Sequence, residues 1–143
     1  MIPRILGQLP LRVYNIAVAA LALDVDRKWL DNLIAQHDVA GVERFTRGVS
    51  RRLSVRALLA AAVVRDLQGE LGVPAGRAVE AAGRVLASSH HRISLSPAVS
   101  VHLDLPALER SLDQRLVHAM ETAVPRRRGR PPGRARKAQR GTR

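Results

Sequence analysis

Apolar positions recur at helical spacing along most of this chain, and their period changes twice. Tyr14 to Leu23 is apolar with a helical pattern, and Asp24-Val25-Asp26 interrupts it. Asp26 is a residue type that caps a following helix. That helix is expected from Arg27 to His37, burying Leu30, Leu33 and Ile34 at i, i+3 and i+4. Two helices across so tight a connection make a helix-turn-helix candidate. From Val42 to Leu53 the pattern is different: Val42, Phe45 and Val49 surround Thr46-Arg47-Gly48, a turn in which Gly48 can take positive φ. This stretch reads as a two-stranded wing rich in Arg. Ser54 then caps a long helix reaching Leu71, with Leu58, Leu59, Ala62 and Val63 inward. Gly72 ends it and Pro74 starts the next, which carries Ala78, Val79, Ala82, Val85 and Leu86 at helical spacing.

After His90-His91 the period becomes two. Ile93, Leu95, Val99, Val101, Leu103 and Leu105 alternate with polar residues around Ser96-Pro97-Ala98, which predicts a hairpin. Pro106 opens a last helix with Leu108, Leu112, Leu116, Ala119 and Met120 on one side. A hairpin and one helix are too small to stand alone. Residues 89–124 are therefore expected to pack on the preceding helices or on a second copy, as a dimerisation or partner-binding segment. From Pro125 the chain is Arg, Gly and Pro without apolar pattern, a composition expected to be disordered when free. The expected division is 1–88, 89–124 and 125–143.

Composition supports a mainly α protein. Of 143 residues 46% are apolar, but only Trp29, Tyr14 and Phe45 are aromatic, so the core must be Ala, Leu and Val. Ala and Leu favour helices. The absence of cysteine excludes disulfides, thiolate metal sites and a cysteine nucleophile. No apolar run approaches the roughly 18 residues that cross a bilayer, and the amino terminus lacks the succession of a signal peptide. A bacterial cytosolic protein of the nucleoid, not associated with membrane, is expected.

Charge changes the picture most. The net charge is +12, from 24 Lys and Arg against 12 acids. Nine of the basic residues and no acid lie between Arg126 and Arg143, leaving 15 against 12, or +3, for the rest. Such a tail is an electrostatic arm for polyanions.

The succession Ala20-Leu21-Ala22-Leu23-Asp24-Val25, then Gly48-Val49-Ser50-Arg51-Arg52-Leu53-Ser54, then Leu71-Gly72-Val73-Pro74 resembles the MerR-type winged helix-turn-helix, over about residues 14–88. The resemblance implies a recognition helix, an Arg-bearing wing and a helix pair joined by a Leu-Gly-aliphatic turn. Lys28-Trp29-Leu30-Asp31-Asn32 stands where the family carries Arg-x-Tyr, and neither metal nor drug sensing is carried over. On this reading the second helix enters the major groove with Arg27, Lys28, Asp31 and Asn32 facing DNA. Asn pairs bidentately with adenine, and Arg or Lys with guanine. Trp29 reads as a core or hinge residue. In the wing, Arg44, Arg47, Arg51 and Arg52 suit phosphate contacts. Since Arg51 and Arg52 are adjacent in a strand, at most one of them should face the phosphates there.

In the tail, Arg128-Gly129-Arg130-Pro131, flanked by Arg126, Arg127 and Arg134, resembles the AT-hook. Gly lets the backbone lie on the floor of the minor groove, and Pro keeps it extended. The Arg side chains follow A·T edges, where the negative potential is deepest. His90, His91, His102 and His118 match no zinc spacing. No nucleophile–base set or phosphate loop is present, so neither an enzyme nor a cofactor is expected.

The expected function is sequence-specific binding of double-stranded DNA by a bacterial transcriptional regulator acting as a homodimer. One alternative is an antitoxin-like autorepressor that engages a protein partner encoded nearby through residues 89–124. Another is an architectural nucleoid-associated protein.

Overall fold

Among the described residues of the computed structural model, four of the five helices begin where a side-chain oxygen meets a free N–H of the first turn. Residues 12–43 and 51–123 are described, residue 43 in its backbone only. The order is β1 (Val13–Asn15), α1 (Ile16–Leu23), α2 (Arg27–Gln36), β2 (Val42–Glu43), β3 (Arg52–Ser54), α3 (Val55–Leu71), α4 (Ala75–Ala87), β4 (Arg92–Ser94), β5 (Ser100–His102) and α5 (Leu105–Thr122). Asn15 accepts from the Val18 N–H, Asp26 from Lys28, Ser54 from Ala57 and Asp104 from Ala107. Each such cap contributes about 1 kcal/mol. α4 follows Pro74 and has no side-chain cap.

Helix α3 is the axis of the fold. Ala57 to Val64 are buried without interruption, the pattern of a helix covered on all sides. α4 packs along it, while α1 packs chiefly against α5 and also touches α2 and α3. β1, β3 and β2 form one antiparallel sheet in that order, with Leu53 opposite both Tyr14 and Val42. Leu53 is fully buried between two exposed or half-exposed neighbours, the alternation of a strand with one face on the core.

Residues 89–123 share that core. Ile93, Leu112, Leu116 and Ala119 belong to the same buried cluster as the apolar residues of α1 to α4. Leu112 and Leu116 each contribute about 1.5–3 kcal/mol through burial.

The protein is thus mainly helical, with two small antiparallel sheets among the described residues, and three local expectations change. Tyr14 and Asn15 belong to β1 rather than to a helix, because their partner Leu53-Arg52 arrives from far along the chain. The hairpin ladder is short: it pairs Arg92–Ser94 with Ser100–His102, and Leu95 and Val99 are exposed beyond it. Met120 is 44% exposed; at 3.6 residues per turn Ala119, seven residues on, returns over Leu112 and Met120 does not. Residues 44–50, with the expected Thr46-Arg47-Gly48 turn, and residues 124–143 lie outside the described residues. Among the described residues no helix is long and apolar enough to cross a membrane.

Candidate nucleic-acid interface

Helix α2 divides cleanly. Leu30, Leu33 and Ile34 are buried, Trp29 is half-buried, and Arg27, Lys28, Asp31 and Asn32 are all exposed. Those four fall on one arc of the helix, opposite the core face. Gln36 is also exposed and lies one turn beyond Asn32. Its spacing of four from Asn32 is the sequence signal that places it on the same face.

One contact holds the end of α1 that leads into α2, and another holds α2 itself. At its start, α1 ends on Asp24, which takes the left-handed conformation (φ 54°) and donates its N–H to Ala20 and Leu21 carbonyls. Asp tolerates this conformation better than most residues. The Arg65 guanidinium of α3 donates to the carbonyl of Leu23, a cation placed at the negative end of α1, and also holds Asp66 Oδ1 at 2.9 Å. In the middle of α2, Trp29 Nε1 donates to Gln68 Oε1 at 3.2 Å. Neither contact had a local signature, since the partners are 42 and 39 residues apart.

Replacing Gln68 with Leu is expected to cost about 1–2 kcal/mol, because the indole N–H loses its acceptor in a partly buried site. In thermal unfolding this appears as a fall in Tm of roughly 2–8 °C. Adding Trp29→Phe should cost less on that background than alone, and strictly additive losses would deny the coupling.

Beside α2 lies the strand that leaves the expected wing. Arg52 is exposed in β3, in register with Asn15 on one side and Glu43 on the other. Arg51 turns back instead: its Nη1 donates to Asp31 Oδ1 at 3.2 Å and to the Asp31 carbonyl at 3.3 Å. Asp31 and Arg51 thus neutralise each other, while Arg27, Lys28 and Arg52 make no ion pair among the described residues. Arg44 and Arg47, and the tail residues Arg126, Arg127, Arg128, Gly129, Arg130, Pro131 and Arg134, lie outside the described residues.

β2 enters the sheet from Gly41, which adopts φ +87°. Its carbonyl accepts from the Ser54 N–H at 3.1 Å. A Cβ added there would stand 2.3 Å from Ser54 Oγ and 3.0 Å from the Ala57 nitrogen. Glycine is required on both counts.

The histidines are dispersed: His90 and His91 precede β4, His102 ends β5 and His118 is on α5. Among the described residues no group of three or more His, Asp or Glu side chains is arranged to hold a metal ion. Comparison with protein-family models, with curated proteins and with solved structures finds no match to this chain.

Proposed function

We propose that the protein is a sequence-specific binder of double-stranded DNA, a transcriptional regulator acting as a homodimer on the bacterial nucleoid. The unit from β1 to β3 works as a winged helix-turn-helix. α2 lies in the major groove, the connection 44–50 serves as the wing, and the Arg-rich tail follows the minor groove. The observation that carries this reading is the exposed arc of α2, with Arg27, Lys28, Asn32 and Gln36 beside Arg52 of the adjoining sheet. The strand order β1-β3-β2 supports it, because residues 44–50 then join neighbouring antiparallel strands as a wing must. Net charge supplies the affinity for phosphate. A homodimer follows from the economy of reading two half-sites with one surface. The exposed apolar residues Leu95, Val99, Val117 and Met120 favour residues 89–124 for that association.

Selection of bound duplexes from a random pool tests the reading directly, with an enriched motif as the expected result. On the selected site, Asn32→Ala with Lys28→Ala should lose about 10–100-fold in affinity, as one or two base pairings worth about 1–3 kcal/mol each disappear. Binding to unrelated duplex should change by only a few-fold. An equal loss on every sequence would mean that α2 does not read bases.

A further inference from the structure

We infer that Asp31 and Arg51 form a positioning strut between α2 and the base of the 44–50 connection, and that neither makes a DNA contact of its own. The inference rests on the DNA-binding reading above and divides the exposed charges of that surface into two groups. Arg51 Nη1 meets both the carboxylate and the backbone carbonyl of one residue, at 3.2 and 3.3 Å. Gripping a carbonyl within the helix ties Arg51 to the axis of α2 and not merely to a mobile side chain. The side chains remain 39% and 59% exposed, so the pair lies at the rim of the proposed interface and not inside the core.

Two physical consequences follow. An unpaired carboxylate between Lys28 and Asn32 would face phosphates and be repelled; Arg51 cancels its charge. Arg51 is also the last residue before β3, where the connection rejoins the sheet. Fixing it to α2 fixes where β3 begins relative to that helix, and so how Arg52 is placed beside the exposed arc of α2. The phosphate role then falls to Arg52, which is exposed and makes no ion pair among the described residues.

Exposed ion pairs contribute little to stability, about 0–1 kcal/mol. The larger effect belongs to geometry, and it appears in the ratio of specific to non-specific affinity. The full chain and its variants Arg51→Gln, Asp31→Asn and the double replacement are titrated with a selected site and with unrelated duplex at several salt concentrations. Each single variant should reduce the ratio by about five- to tenfold, and the double by no more than the worse single. The slope of log K against log salt should stay within half a unit of the wild type. Arg52→Gln, in contrast, should reduce that slope by about 0.9. A slope reduced by about 0.9 in Arg51→Gln, additive with Asp31→Asn, would place Arg51 on a phosphate and overturn the strut. Thermal unfolding without DNA gives an independent measure. Each single variant should lower Tm by about 1–2 °C and the double by no more than that; additive losses overturn the strut as well. If the wild-type chain shows no preference among duplexes, the DNA-reading proposal fails, and the unfolding cycle still decides whether the two residues are coupled.

Discussion

Deletion of residues 125–143 is expected to weaken duplex binding by about a thousandfold at low salt and to flatten its salt dependence by several units of slope. The reasoning is electrostatic. Nine Arg and Lys with no acid lie in that stretch, whereas the remainder carries only +3. Each phosphate neutralised releases counterions and contributes about 0.9 to the slope on B-DNA. If half of the nine cations engage phosphates, four or so units are lost with the tail. Within the tail a finer effect is expected. On the minor-groove proposal, Arg128→Ala with Arg130→Ala removes both Arg of the Arg-Gly-Arg-Pro unit, so preference for A·T tracts should disappear while much of the salt dependence persists. Fluorescence anisotropy on an A·T-tract duplex and a G·C duplex, each across a salt series, reads both quantities. An unchanged slope after deletion would remove the tail from the DNA altogether. An unchanged A·T preference in the double variant would reduce the Arg128 to Pro131 unit to a generic polycation.

What was legible in the sequence was local. Ser54 as the cap of α3, Gly72 as its left-handed end and Asp26 as the cap of α2 are signals confined to one turn, and the structure uses all three. The exposed arc of α2 was equally readable, because 3.6-residue periodicity separates Arg27, Lys28, Asp31 and Asn32 from Leu30, Leu33 and Ile34 without reference to anything else. β1 was not readable. Val13-Tyr14-Asn15 is too short to alternate, and its strand character comes from β3, some forty residues later. The same distance hid the contacts to α1 and α2 from α3. Trp29 looked like a core or hinge residue, but nothing near it named Gln68, and nothing near Leu23 named Arg65. The family resemblance and the helical period put Asp31 among the DNA-facing positions and Arg51 in the wing, and neither signal pairs the two with each other. Their pairing depends on how β3 returns past α2, which is a property of the fold and not of either segment. Local chemistry thus marks the exposed face of α2, and long-range packing determines which of its charges meets a partner within the fold.

Gly41→Ala should destabilise the protein by about 2–4 kcal/mol, a large share of the roughly 5–15 kcal/mol that holds a typical domain. Three costs meet at this position. An L-residue at φ +87° is strained by about 1–2 kcal/mol. The new methyl would lie 2.3 Å from Ser54 Oγ, so that hydroxyl must leave, and with it the cap on the Ala57 N–H, worth about 1 kcal/mol. The added carbon also stands 3.0 Å from the Ala57 nitrogen and 3.4 Å from Arg56 Cβ, contacts that no rotamer change at Ser54 relieves. The expected fall in Tm is about 5–15 °C. The origin of the loss is separable. Ser54→Ala alone should cost about 1 kcal/mol, and adding it to Gly41→Ala should cost almost nothing more, since the cap is already lost. Because the Gly41 carbonyl also accepts the Ser54 N–H, displacement here moves β2 relative to β3 and thereby the two ends of the 44–50 connection. On the DNA-binding proposal, residual folded Gly41→Ala protein should discriminate poorly between a selected site and unrelated duplex, with its salt slope unchanged. A variant that melts within a degree of wild type would show that the left-handed turn at Gly41 is not what anchors the sheet to α3.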